Sequence, residues 1–266
     1  TLFRSRRSIK HSTYFAVYDD LLSPYRGKPV TFVEVGVLGG GSLFMWREFF
    51  GPQARIIGVD LNPAAKKWES DGFEIFIGSQ SDPAFWQDFV AKVGMVDILL
   101  DDGGHTYDQQ IVTVEMMLDQ IKDKGLLIVE DTHTSYMNGF GPRRYSFMRY
   151  VARLVDRLNA RFGALDGPHA ERRFWSVRIY ESIVAFVIDR EATALPSQQT
   201  DNGGEDDGAQ DFRFVDTTEG GALIGLARKA LACLGPLATA PGLHHLRNAA
   251  ALLSTSLRFK SRKYFR

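Results

Sequence analysis

The chain has 266 residues, with 44% hydrophobic and 24% charged side chains, a composition that excludes a disordered or fibrous protein. Its 32 Lys and Arg balance 32 Asp and Glu, so no global field marks a nucleic-acid partner. The single cysteine, Cys233, excludes an intrachain disulfide and a cysteine zinc cluster, and a reducing compartment fits best. No stretch of 18 apolar residues argues for a membrane span. The chain opens at Thr1 without a charged-then-apolar leader, so a cytoplasmic location is expected, and the absent Met points to a trimmed or partial start.

Residues 1–29 open with Arg4, Arg6, Arg7 and Lys10, then place Tyr14, Phe15, Tyr18, Leu21 and Leu22 at helical spacing. Pro24 and the 27–29 stretch end that helix. From residue 30 to 190, apolar runs alternate with helical patterns. Strands are predicted over Val30–Val35, Arg55–Val59, Phe73–Ile77, Val96–Leu100 and Leu126–Val129, and helices over Ser42–Phe50, Pro83–Lys92, Tyr107–Lys122 and about Tyr145–Phe162. Such alternation implies right-handed crossovers and an α/β fold, a mostly parallel sheet covered on both faces. Phe174–Tyr180 and Ile183–Ile188 flank Glu181–Ser182, the spacing of a tight antiparallel hairpin. A parallel, Rossmann-like sheet closed by such a hairpin is the layout of class I methyltransferases. Residues 191–220 read as a flexible linker, most clearly in the aperiodic Gln/Asp/Gly/Ser-rich 191–212, and 221–266 as a partly helical segment ending in the basic, aromatic tail Arg258–Arg266.

The first strand runs into Glu34-Val-Gly36-Val-Leu-Gly39-Gly40-Gly41-Ser42, where glycines let the backbone turn sharply and approach a ligand. A dinucleotide fingerprint counted from Gly36 needs glycine where Leu38 stands, which argues against a nicotinamide cofactor. An acidic residue two before the first glycine suits a cationic ligand, and Glu34 would face the amino-acid end of S-adenosylmethionine (SAM). Gly36, Gly39, Gly40 and Ser42 complete that turn. Asp60 ends the second strand, ahead of Leu61, where a carboxylate can accept two ribose hydroxyls. Gln80 and Ser81 follow the third strand, where an adenine would lie; the same stretch also reads as a helix N-cap ahead of Pro83.

Strand four ends in Asp101-Asp102-Gly-Gly-His105 and strand five in Glu130-Asp131-Thr-His133. Ligands of such sheets bind beyond the carboxyl ends of the strands, and neighbouring strands lie ~4.8 Å apart, so four carboxylates converge at one rim. Such a cluster repels itself unless a cation compensates it. All-oxygen donors point to Mg²⁺, with Mn²⁺ and Ca²⁺ as alternatives. Asp102, Glu130 and Asp131 are assigned as ligands, and Asp101 to the cofactor side. His105, on a Gly-Gly turn, suits a general base; the alternative is helix capping or plain exposure. His133 is read as a substrate contact or a loop decoration.

Together, Glu34–Trp46, Gly78–Asp82, Asp101–His105 and Glu130–Tyr136 resemble the metal-dependent sugar O-methyltransferases of natural-product biosynthesis, the group of the macrolide-sugar and rhamnosyl enzymes. The likeness spans roughly residues 8–190. It implies Mg²⁺ at Asp102, Glu130 and Asp131, a base at His105, and an N-terminal segment, Lys10–Tyr18 with Tyr14, lying over SAM. It also implies a small-molecule or glycan acceptor. A homo-oligomer is expected, and membrane contact through the tail has no support beyond its charge. The rival readings are a nicotinamide-dependent oxidoreductase, an iron/2-oxoglutarate hydroxylase and a non-catalytic binding module.

Overall fold

The computed structural model describes residues 7–162, 165, 169–204, 208 and 264. The segment 221–266, Tyr264 apart, and residues 205–207 and 209–220 of the predicted linker lie outside the described residues. Contacts divide the chain into Thr1–Gln199 and Thr200–Arg266; every element below belongs to the first unit.

Its elements are α1 (Tyr14–Leu22), β1 (Thr31–Val35), α2 (Gly41–Phe50), β2 (Arg55–Asp60), β3 (Glu74–Ile77), α3 (Pro83–Val93), β4 (Val96–Asp101), α4 (Tyr107–Met117), β5 (Ile121–Val129), α5 (Phe147–Asn159), β6 (Ser176–Tyr180), β7 (Ile183–Val187) and α6 (Arg190–Ala194). The seven strands form one sheet in the order β3-β2-β1-β4-β5-β7-β6. The first five are parallel, β7 runs antiparallel to β5, and β6 to β7. This is the predicted α/β class I methyltransferase layout, with its closing hairpin.

Successive strand residues point to opposite faces, and here the alternation is nearly unbroken. Phe32, Ile56, Ile98, Leu100 and Ile128 pack against α1 and α2 in one core. Val33, Val35, Ile57, Leu99, Leu127 and Val129 pack against α3, α4 and α5 in the other. Apolar strands buried on both faces are what a sheet with helices on each side requires.

The structure departs from the sequence reading in three places. The helix predicted over Tyr107–Lys122 ends at Met117, and β5 begins at Ile121, well before Leu126. Ile121 is buried opposite Val96, and the register then slips before Ile98 meets Leu126. The polar Lys122–Lys124 stretch, with Lys124 in left-handed backbone, is a bulge that reads in sequence like one more exposed helical turn. Residues 190–194, partly assigned to the linker, form α6, capped where the Asp189 carboxylate accepts from the Ala192 N–H. A nine-residue 3-10 helix, Pro63–Asp71, fills the interval between β2 and β3. Among the described residues no helix is long and apolar enough to cross a membrane.

Candidate active site

The same alternation sorts the acidic residues. In register, Glu34 lies beside Leu100, and Asp101 beside both Val35 and Val129. One step further, Asp102 and Glu130 leave neighbouring strands on the α1 face, the face of Glu34, whereas Asp101 turns toward α4. The rim is thus two clusters back to back.

Lys10 occupies the α1-face cluster. Its ammonium donates to Asp102 Oδ2 at 2.6 Å and Glu130 Oε2 at 3.0 Å, and lies 3.8 Å from Glu34 Oε1. Glu34 also accepts from Ser42 Oγ at 2.6 Å and Trp46 Nε1 at 3.0 Å. Glu130 accepts from the Tyr18 hydroxyl. Burial raises Glu130 to about 8 against the pull of Lys10, and raises Glu34 and Asp102 as well. Burial pulls the Lys10 ammonium down, but the combined attraction of Glu130, Glu34 and Asp102 outweighs it and holds the pKa above its ordinary range.

On the α4 side, Gln80 donates to both oxygens of Asp101 and to Thr113, and accepts from the Gly104 N–H. This ties the loop after β3 to the loop after β4. Burial pushes Asp101 up to about 6, opposed by the Gln80 amide and the Gly103 N–H. Ser81 is exposed.

Between the clusters, at the mouth of the rim, Asp102, His105 and Asp131 offer three donor atoms within 4.8 Å of one another, each side chain partly exposed. His105 Nε2 lies 3.3 Å from Asp131 Oδ2. His105 Nδ1 is buried, with no hydrogen-bond partner among the described residues. Both residues adopt left-handed backbone, as do Leu38 and Ser182 at the same end of the sheet. Non-glycine residues there cost on the order of 1–3 kcal/mol each and cluster at ligand sites. The loop after His105 is pinned by the next helix, where Gln109 Oε1 accepts from the Thr106 N–H and hydroxyl. Asp131 accepts from the Tyr14 hydroxyl, which also lies 2.8 Å from Ser182 Oγ, itself paired with His133 Nδ1.

The glycine turn is shaped by close approach. A side chain at Gly36 would run into the Asp102 carbonyl, and one at Gly40 into the Trp68 ring. Asp60 accepts from the Val37 and Leu38 N–H groups at 2.9 Å and from Asn62 N–H at 2.7 Å, so its carboxylate staples the turn to the end of β2. Leu38 and Leu61, exposed on either side of Asp60, leave apolar side chains at the mouth.

The structure therefore brings together Glu34, Gly36, Ser42, Asp60, Gln80, Asp101, Asp102, His105, Glu130 and Asp131 at one end of the sheet. The ready cation-binding set contains His105, expected as a base, in place of Glu130, which Lys10 and Tyr18 already engage. Tyr14, expected over SAM, rests on Asp131. The sequence reading attached no individual role to Tyr18, Trp46 or Ser182. Ser182 carried one signal, its place in a two-residue hairpin turn; Lys10 carried one through the resemblance, which puts the Lys10–Tyr18 segment over the cofactor and gives Lys10 no carboxylate partner.

A family model described as a methyltransferase domain matches residues 33–132. The 8-demethyl-8-alpha-L-rhamnosyl tetracenomycin-C 2'-O-methyltransferase of Streptomyces olivaceus is 33% identical over 158 residues, 55% of this chain and 41% of that protein. The mycinamicin VI 2''-O-methyltransferase of Micromonospora griseorubida is 33% identical over 133 residues, 47% of this chain and 32% of that one. The chain spans less than half the length of these relatives. Among solved structures, the MycE methyltransferase of the mycinamycin pathway, in complex with Mg, SAH and mycinamycin VI, superposes with a TM-score of 0.59 at 25% identity, over 66% of this chain and 49% of that one. On fold and sequence together, the chain has the sheet of class I methyltransferases and is similar, over that part, to sugar O-methyltransferases of natural-product biosynthesis.

Proposed function

We propose that this protein transfers the methyl group of SAM to a sugar hydroxyl of a glycosylated small molecule, with Mg²⁺ held at the acidic rim. The observation that carries the reading is the convergence of Asp102, His105 and Asp131 within 4.8 Å, beside a glycine turn at the carboxyl ends of β1 and β4. The donor set fits a hard divalent ion, since it is carboxylate-rich and partly open. His105 Nδ1, without a hydrogen-bond partner among the described residues, supports a site that the protein's own hydrogen bonds do not use up.

Held by the carboxylates of that set, Asp102 and Asp131, with the His105 imidazole left free, the ion would supply Lewis acidity toward two neighbouring hydroxyls of the acceptor sugar. The chain's own residues do the rest. The turn from Gly36 to Ser42 presents backbone and the N-terminus of α2 to the methionine end of SAM. Asp60 faces its ribose, and the Gln80–Asp101 pair lines the adenine side. His105 takes the proton of the acceptor hydroxyl as the oxygen–methyl bond forms and the sulfonium–methyl bond breaks, leaving S-adenosylhomocysteine. Asp131, touching both His105 and Tyr14, orients the imidazole. The MycE complex, with Mg, SAH and mycinamycin VI, and the rhamnosyl tetracenomycin-C 2'-O-methyltransferase support this substrate class.

The test is incubation of the protein with SAM, Mg²⁺ and a panel of rhamnosylated and macrolide glycosides, read by mass spectrometry. A gain of one methylene on the sugar is expected. No methylated product across the panel, with NAD bound in preference to SAM, would overturn the assignment.

A further inference from the structure

We propose that Lys10 and a divalent cation exclude one another at the rim, so that the segment 7–13 is a strap latched by an ammonium group and released when an ion takes its place. The inference rests on the metal-assisted reading above and concerns a residue to which that reading gives no part.

The Lys10 side chain is only 3% exposed, and its ammonium lies between Asp102 and Glu130. An ion bridging those two carboxylates would claim the same space and carry like charge. While Lys10 is latched, Glu130 is spent on Lys10 and Tyr18, and the donors that remain are Asp102, His105 and Asp131. That set ties up the imidazole needed as a base. Withdrawal of Lys10 frees Glu130 Oε2 and Asp102 Oδ2, would give a hard ion an all-oxygen set with Asp131, and leaves His105 for proton transfer. The exchange also improves the charge balance, since one monovalent ammonium faces three carboxylates, Glu34 included.

The strap is built to move. Residues 7–11 belong to no helix or strand. The backbone of Arg7 and Ser8 crosses Gly41 so closely that any side chain there would collide with it, which places the strap over the N-terminus of α2. From Tyr14 onward the chain is anchored, with Tyr14, Tyr18, Leu21 and Leu22 buried in the α1–α2 core. Release therefore involves only the residues ahead of α1.

Calorimetric titration of Mn²⁺ into the wild type, Lys10→Met and Lys10→Arg tests the proposal. Removing the competing charge in Lys10→Met should tighten ion binding by about tenfold or more, the equivalent of ~1.4 kcal/mol. Lys10→Arg should bind like the wild type. A merely structural lysine predicts the opposite sign, so unchanged or weaker binding in Lys10→Met overturns the proposal. In the wild type, labelling of Lys10 by an amine-reactive reagent, with exposed Lys28 as reference, should speed up as Mn²⁺ saturates. Ion binding without that change also overturns it, and this arm needs no variant to fold. Absence of ion binding in all three proteins removes both this inference and the metal part of the proposed function. A parallel SAM titration separates that result from failure of the methyltransferase reading itself.

Discussion

Two clusters of buried charge, the acidic rim and a network between α4, α5 and the segment before β6, use the same residue types to opposite ends. In the network, Arg173 reaches Glu171 at 2.9 Å and Glu115 at 2.7 Å, and Arg157 lies 3.6 Å from Glu171. Burial pushes both glutamates up, but the Arg173 guanidinium more than offsets it and holds them below the usual carboxylate range. At the rim the balance reverses. Among the described residues one ammonium, that of Lys10, faces Glu34, Asp102 and Glu130, and all three are held above their ordinary values. The network's carboxylates are matched by fixed cations and are at rest. The rim's outnumber theirs, on a backbone with His105 and Asp131 in left-handed conformation. Excess like charge and local strain kept together by the surrounding fold are the features on which the proposed cation site rests.

The largest test of that contrast is to withdraw the cation. EDTA treatment, or Asp131→Asn, should lower methyl transfer by roughly 10⁴-fold or more, since Lewis-acid stabilisation supplies several kcal/mol. Circular dichroism should show the fold retained. Full turnover in metal-free buffer would make the rim a structural cluster like the network. Next comes the base. His105→Ala should slow single-turnover methyl transfer by about 10²–10⁴-fold with SAM affinity unchanged. Near-normal rates in that variant would shift attention to His133, which lies on the other side of Asp131.

The network should show the reverse pattern. Arg173→Met leaves Glu171 buried without its main partner, and should cost about 3 kcal/mol of stability in denaturant unfolding while sparing turnover. Its pH dependence has a definite sign. Glu171 and Glu115 titrate lower in the folded than in the unfolded chain, so their stabilisation is present above the ordinary carboxylate range and is lost as pH falls through their folded values. The acid limb of a Tm-against-pH curve should therefore be shallower in Arg173→Met than in the wild type. An equally steep limb would place the acid sensitivity elsewhere.

The amino-acid sequence by itself determined the architecture and the place of the acidic rim. Alternating apolar strands and helical patterns specify a covered parallel sheet. The Glu181–Ser182 interval specifies the closing hairpin, and acids at the ends of β4 and β5 specify a rim, because these are local patterns with local causes. It did not determine the end of α4, where the buried partner Val96 draws Ile121 into the sheet and the polar Lys122–Lys124 bulge mimics a helix face. Nor did it divide the labour among the acids. Only strand register separates Asp101, turned toward Gln80 and Thr113, from Asp102, turned toward Lys10. The resemblance placed the Lys10–Tyr18 segment near the site, but not the pairing of Lys10 with Asp102, 92 residues away, and Glu130, 120 residues away. Adjacent residues on a strand face opposite sides of the sheet, and residues a hundred positions apart meet only when the sheet and its covering helix close around them. Which carboxylate meets which cation is therefore decided by packing, and no local pattern in the chain carries it.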